Sequence, residues 1–191
     1  MTKGQMEAFS DGVIAIIITI MVLELKVPHG ADVAALFPFM PVFLSYALSF
    51  VFLGIYWSNH HHLLQAIKHV DGRVLWANLH LLFWLSLTPF VTAWMGENQF
   101  AAGPVALYGV VLPFAAVAYY ILVQALIAVH GKDSVISSAV GRDFKGKVSV
   151  LIYAAAILLC FVSPWISCAL YVLVAIMWLV PDRRIEKTLI Q

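Results

Sequence analysis

Six long runs of apolar residues divide the chain, and short segments that carry most of the polar side chains separate them. None of the runs alternates apolar and polar residues, so they predict α-helices rather than strands. Backbone N–H and C=O groups find no partners in lipid unless the chain forms helices or closed barrels. The predicted membrane-spanning helices are residues 6–26, 39–63, 73–95, 101–129, 148–162 and 165–180. A short interfacial helix is expected at residues 31–38.

Composition supports this interpretation. Of the 191 residues, 63% are hydrophobic and 11% are charged, whereas soluble domains average about 45–50% apolar and about 25% charged residues. This excludes a disordered chain, a nucleic-acid-binding protein with a basic face and an ordinary soluble enzyme. Each crossing takes about 20 residues, so six crossings leave enough chain for the connections and eight do not. The predicted fold is an all-α membrane protein, a single transmembrane domain of six helices over residues 1–191.

The basic residues indicate how the helices are oriented. The chain has 11 Lys and Arg residues, and all except Lys26 fall in the connections that one side of a six-helix topology would share. These residues are Lys3, Lys68, Arg73, Lys132, Arg142, Lys145, Lys147, Arg183, Arg184 and Lys187. Because cytoplasmic loops carry an excess of Lys and Arg, both termini are predicted to be cytoplasmic in a multi-pass protein of the cell membrane.

Polar side chains inside the predicted helices cluster at one depth. The topology places them in the cytoplasmic third of the first three helices: Ser10, Asp11, Asn59, His60, His61, Asn78 and His80. Ionisable groups inside a membrane are costly and therefore suggest a function. These side chains can form one buried layer, in which hydrogen bonds between helices replace those lost to water.

Two interpretations of this layer differ in chemistry. It is either a metal or proton-transfer site, or a set of hydrogen bonds that fixes helix packing. Metal binding is disfavoured because the consecutive His60, His61 and His62 point about 100° apart on a helix. Two ligands on one helical face need an i, i+4 spacing, and the residues four positions from these histidines are not ligands. No metal or other cofactor is expected. The sequences HExxH, GxGxxG, GxxxxGK[ST] and GxSxG are absent, so an enzyme is not expected either.

The most specific motif is FSDGVIAIIITIMVLEL, from Phe9 to Leu25, in the first predicted helix. It resembles the first helix of the transmembrane protein 175 family, the lysosomal and endosomal potassium channels and their bacterial relatives. WSNHH (57–61) and SLTPF (86–90) are similar to the same family. Animal members have two six-helix repeats, and this chain has one, so the resemblance implies a bacterial type of potassium-preferring channel, a homotetramer around a central pore. One position differs, because Gln5 stands where the family motif has Arg.

The resemblance also implies that the first helix lines the pore with hydrophobic side chains. Its constriction would be Ile16, with Ile20 and Leu23 as further layers, and Thr19 would supply a ring of hydroxyl groups that favours potassium. At about 100° per residue, these side chains lie within about 60° of Ile16 on the helix. Phe9 and Gly12 lie on the same stripe. Asp11 is about 140° away from Ile16 and is expected to face the second and third helices.

Two other functions stay open at this point. A proton-permeable channel or proton-coupled transporter would use the layer of Asp11 and the histidines, because carboxylate–histidine chains suit proton relays. The unbroken first helix disfavours a transporter, whose helices are usually interrupted near the middle of the membrane. A membrane enzyme would need His60, His61, His80 and Asp11 to converge on a metal.

Overall fold

The computed structural model of the chain describes residues 2–67, 69–131 and 144–179, and within these ranges all regular secondary structure is helical. The helices are α1 (Lys3–Leu23), α2 (Met40–Gln65), α3 (Gly72–Ser86), α4 (Thr88–Glu97), α5 (Ala102–His130), α6 (Phe144–Leu159) and α7 (Pro164–Leu179). A 3₁₀-helix at Val33–Phe39 leads directly into α2. It covers most of the segment expected to form an interfacial helix. The all-helical fold is therefore confirmed.

The helices correspond one by one to the predicted spans once α3 and α4 are taken together. Among the described residues, four helical segments are long and apolar enough to cross a membrane, namely 3–23, 33–65, 72–97 and 102–130. The helices α6 and α7 have 16 residues each, which corresponds to about 24 Å of helix. The hydrocarbon core of a bilayer is about 30 Å thick, so the length of these two helices does not by itself show that they cross the membrane. That they do so stays a prediction from the sequence.

The first residues of the chain form a cap for α1. The Thr2 hydroxyl accepts a hydrogen bond from the backbone N–H of Gln5 (3.3 Å), and the Gln5 side chain accepts one from the backbone N–H of Thr2 (2.9 Å). This reciprocal pair satisfies two donors that a helix start would leave unpaired. Lys3 donates to the backbone carbonyl of Gln65 at the end of α2 (3.3 Å). Gln5 thus has a capping role where the resembling family has an arginine.

The third predicted span is not one helix. It breaks at Leu87, which ends α3 and precedes α4. Pro89 causes the break, because proline lacks an N–H donor and its ring clashes with the carbonyl four residues earlier. The span expected over 73–95 is thus present as one segment, residues 72–97, and the SLTPF motif lies at the break between its two helices.

Two apolar clusters form the interior of the part of the chain that the structure describes. The first joins α1 to the end of α2, to α3 and to the second half of α5. The second joins the middle of α2 to α4, the first half of α5, α6 and α7. The helix α1 packs against α2, α3 and α4, so the first cluster holds one side of α1 in place.

Gly96 allows α4 to approach α2 closely, and we expect Gly96→Ala to lower the free energy of unfolding by about 1–3 kcal/mol, the usual cost of overpacking. A Cβ atom at this position would lie 2.7 Å from the Cα atom of Val42 and 2.5 Å from the Ser45 hydroxyl. Denaturant unfolding in detergent, followed by circular dichroism, measures the change. Gly54→Ala in α2 is the control, since a Cβ there meets nothing within 4 Å and alanine favours a helix by about 0.5–1 kcal/mol. Equal stability of the two variants would contradict the prediction.

Candidate functional site

The helix α1 has a packed face and an outward face. The packed side chains recur every three or four residues, as one face of a helix requires, and all are buried: Met6, Ser10, Ile14, Ile17 and Met21. The four apolar members belong to the first apolar cluster, on the side of α1 that packs against α2, α3 and α4. Position on the helix thus decides which half of a largely apolar sequence is covered by the rest of the chain.

The outward face carries the stripe that the family resemblance assigns to the pore. All of its members are exposed in the single chain: Phe9, Gly12, Ile16, Thr19, Ile20 and Leu23. Ile16 is 59% exposed and Leu23 80%. Other apolar side chains, such as Trp76 and Phe90, are also exposed, as expected for helices that contact lipid. The stripe is available to line a space between copies of the chain, because no other part of the described chain covers it.

Thr19 is the polar side chain of this stripe. Its hydroxyl donates a hydrogen bond to the backbone carbonyl of Ile16 (2.8 Å). Because the single hydroxyl proton is used within the helix, the oxygen lone pairs are left as acceptors. The outward face of α1 therefore presents one oxygen ligand among aliphatic side chains.

Three buried polar residues from three helices form a continuous network. The amide nitrogen of Asn78 in α3 donates to the Ser10 hydroxyl of α1 (2.9 Å), and the amide oxygen of Asn78 is 2.7 Å from Nε2 of His60 in α2. The Ser10 hydroxyl donates in turn to the backbone carbonyl of Met6 (2.8 Å). These contacts require the proton of His60 to be on Nε2. The network joins α1, α2 and α3 at one level.

Asp11 and His61 lie beside this network rather than in it. The indole N–H of Trp57 in α2 donates to the Asp11 carboxylate (3.0 Å), so the carboxylate faces α2. Nδ1 of His61 is 3.2 Å from the Glu7 carboxylate, and Nε2 of His61 is 2.8 Å from the Gln65 amide nitrogen. Glu7 was not among the residues predicted for the site. The signal was present, because Glu7 and Asp11 are four residues apart and share a helical face.

His80 and Asn59 do not join the buried layer, and this corrects the expectation that they would. His80 is exposed, and its Nε2 accepts a hydrogen bond from the indole N–H of Trp84 on the same helix (2.9 Å). It follows Asn78 by two residues, which places it about 200° around α3, on the far side from α1. The Asn59 amide donates to the backbone carbonyl of Ile55 (2.9 Å) and so stays within α2.

At the other end of α1, Lys26 forms an ion pair with Glu97 of α4 (2.9 Å). The hydrogen bond and charge of Glu97 raise the pKa of the Lys26 ammonium. Glu24, one residue beyond α1, is exposed. Because Lys26 is paired with Glu97, it neutralises less of the negative charge of Glu24 than a separation of two residues suggests.

Comparison with known proteins gives consistent results. The family described as "Endosomal/lysosomal potassium channel TMEM175" matches residues 5–89, a range that includes most of α1 and the whole polar network. A Chryseobacterium protein named a potassium channel is 54% identical over 99% of this chain and 98% of its own length. The human protein named endosomal/lysosomal proton channel TMEM175 is 38% identical over 36% of this chain, which is 16% of the human protein.

A solved structure has the same fold. The crystal structure of a lysosomal potassium-selective channel TMEM175 homologue from Chamaesiphon minutus matches with a TM-score of 0.79 at 28% identity. The match covers 94% of this chain and 97% of the other. The similarity thus extends through α6 and α7, where the sequence carries few recognisable motifs.

Proposed function

Because this chain belongs to the endosomal/lysosomal potassium channel TMEM175 family, we propose that it is a potassium-preferring cation channel whose pore is lined by α1. The observation that carries the proposal is the outward face of α1, where Ile16, Thr19 and Leu23 are exposed. A face of this kind must be covered by lipid or by other copies of the chain. In the proposed assembly it surrounds a central pore.

The proposed assembly is a homotetramer in the cell membrane, with both chain termini in the cytoplasm. Four copies of α1 would place four Ile16 side chains at one level, and Ile20 and Leu23 at the levels beyond it. The distribution of Lys and Arg supports the orientation. Glu24 of each copy would then lie near the outer mouth of the pore, where four carboxylates attract cations.

The Ile16 ring acts in this proposal as the constriction. Aliphatic side chains offer no oxygen to replace the hydration shell of an ion, and narrow apolar constrictions exclude water and close. Ile16 is therefore better suited to gating than to ion selection. Selection for potassium falls to the Thr19 hydroxyls, whose lone pairs are left free by the hydrogen bond to Ile16, together with the pore diameter.

Thr19→Val is expected to lower the preference for K⁺ over Na⁺ several-fold while the protein still conducts. Valine has nearly the same shape as threonine but removes the oxygen ligand. The measurement is the reversal potential under K⁺/Na⁺ gradients in planar bilayers. Thr19→Ser keeps the hydroxyl and serves as the control, and its selectivity should stay close to that of the wild type. A valine variant with unchanged selectivity would exclude Thr19 from ion selection.

Proton permeation is the second candidate function. Two observations favour it. The animal relatives are named proton channels, and His60, Asn78 and Ser10 form a hydrogen-bonded series. This series ends on the backbone carbonyl of Met6 and passes through an amide, which relays protons poorly. The contacts therefore support a structural role for the Asp/His layer more strongly than a proton path or coupled transport.

The proposal is tested by measuring K⁺ and Na⁺ flux through the purified protein in liposomes. A potassium channel gives K⁺ flux that exceeds Na⁺ flux and a reversal potential that follows the K⁺ gradient alone. If a pH gradient shifts the reversal potential in the absence of any K⁺ gradient, protons permeate. Equal and negligible flux of all three ions would refute the proposed function. The mass of the crosslinked protein, about four times 21.1 kDa for a tetramer, tests the assembly separately.

A further inference from the structure

Three metal-ligating side chains meet where the start of α1 lies beside the end of α2. Glu7 and Asp11 are one helical turn apart on α1, and His61 reaches them from α2. One ligand atom of each residue lies within 4.8 Å of the other two, and all three side chains are partly buried. The spacing of the histidines within α2, which disfavoured a metal site on that helix alone, says nothing about ligands supplied by two helices.

The distances suit a small divalent ion. Zinc bonds to carboxylate oxygen and imidazole nitrogen are about 2.0–2.2 Å long, so the ligand atoms of a tetrahedral site lie about 3.3 Å apart. His61 Nδ1 and Glu7 Oε1 are already 3.2 Å apart. The Asp11 oxygen lies within 4.8 Å of both atoms and would have to move closer to complete the set.

The surroundings hold two of the ligands in position. The Trp57 indole N–H is hydrogen-bonded to Asp11, and the Trp57 ring stacks on the His61 imidazole, with centroids 5.8 Å apart. Gln65 contacts Nε2 of His61, and its amide can present oxygen instead of nitrogen to that atom after a flip. Outer contacts of this type orient ligands in known metal sites.

One nitrogen of this cluster forms no hydrogen bond, although the side chain that carries it is only partly buried. Nδ1 of His61 is inaccessible to solvent and has no hydrogen-bond partner among the described residues. Its near neighbour is the Glu7 carboxylate, while Glu7 and Asp11 place two negative charges close together in a half-buried position. A bound cation would supply both a partner for Nδ1 and compensation for the carboxylates.

We propose that Glu7, Asp11 and His61 bind a divalent transition-metal ion of the Zn²⁺ class, with water completing the coordination. Two carboxylates and one imidazole suit ions of intermediate softness such as Zn²⁺ and Co²⁺. Because the ligands come from two helices, the ion would join the start of α1 to the end of α2. The inference does not depend on ion conduction.

The test uses the purified, untagged full-length protein in detergent, with Zn²⁺ measured by isothermal titration calorimetry and Co²⁺ by its visible absorption. The expected result is one ion per chain. His61→Phe should weaken Zn²⁺ binding more than about 100-fold, since even outer-contact substitutions weaken metal affinity about 10–100-fold. Trp57→Phe keeps an aromatic ring but removes the N–H donor to Asp11, and we expect about 10–100-fold weaker binding.

His80→Phe is the matched control, because His80 also contacts a tryptophan but lies outside the cluster, and its Zn²⁺ affinity should equal that of the wild type. Zn²⁺ should also raise the thermal unfolding temperature of the wild type and the control but not of His61→Phe. The proposal is overturned if the wild type does not bind Zn²⁺, or if the folded His61→Phe and Trp57→Phe variants both bind it unchanged. None of these results depends on whether the protein conducts potassium.

Discussion

Ile16→Asn is expected to increase the cation conductance of the reconstituted protein and to reduce its preference for K⁺ over Na⁺. Asparagine is smaller than isoleucine and hydrogen-bonds to water, so four copies would widen and wet a constriction that isoleucine keeps narrow and dry. The wider pore lowers the K⁺ preference because the pore diameter contributes to selection. Removing about 1.4 kcal/mol from the barrier would increase the rate of ion passage about tenfold. Single-channel recording in planar bilayers measures both quantities.

The matched control for this experiment is Ile176→Asn in α7. Ile176 is 55% exposed, close to the 59% of Ile16, and receives the same substitution on a helix to which no pore role is assigned. Its conductance and selectivity should resemble those of the wild type. If Ile16→Asn assembles normally and its currents are the same as those of the control, Ile16 is not the constriction.

Asn78→Leu is expected to destabilise the fold by about 1–3 kcal/mol, the cost of leaving a buried donor without a partner. The substitution removes the acceptor of the His60 imidazole, which is 1% exposed and unable to turn to water. It also removes the link to Ser10 and therefore the polar connection between α1 and α3. Denaturant unfolding in detergent gives the change in free energy.

Two further variants separate the hydrogen bond from general effects of substitution. His80→Leu changes an exposed histidine of the same helix and should stay within about 0.5 kcal/mol of the wild type. His60→Leu combined with Asn78→Leu removes both partners, and replacing both by apolar groups can be nearly neutral. The loss of stability of the double variant is compared with the summed losses of Asn78→Leu and His60→Leu measured separately. If the two values are equal, the network does not contribute as a unit.

Much of the architecture was predictable because the bilayer leaves few alternatives. Apolar runs of sufficient length, joined by basic segments on alternate sides, predicted the helices now seen as α1, α2, α3 with α4, and α5. Pro89 indicated a break near Leu87, but the continuous apolar run around it predicted a single span. The hydropathy of α1 is nearly uniform around its axis, so it did not indicate which side faces away from the bundle. That side was predicted from the family resemblance of the motif around Phe9.

The site was predictable only in part. Ser10, His60 and Asn78 were expected at one depth, and the structure brings them into contact. His80 was expected at the same depth and faces away. The cluster of Glu7 with His61 was not expected, because the sequence does not show how α1 and α2 are rotated toward one another.

The order of apolar and charged residues was sufficient to establish a helical membrane protein and the number of its apolar segments, since unpaired backbone groups are not tolerated in lipid. It was not sufficient to establish which polar side chains meet. That depends on the rotation of each helix about its axis, where one residue corresponds to about 100°, and on the packing of α1 against α2 and α3. In helices that are apolar on every side, only the contacts between them set these rotations.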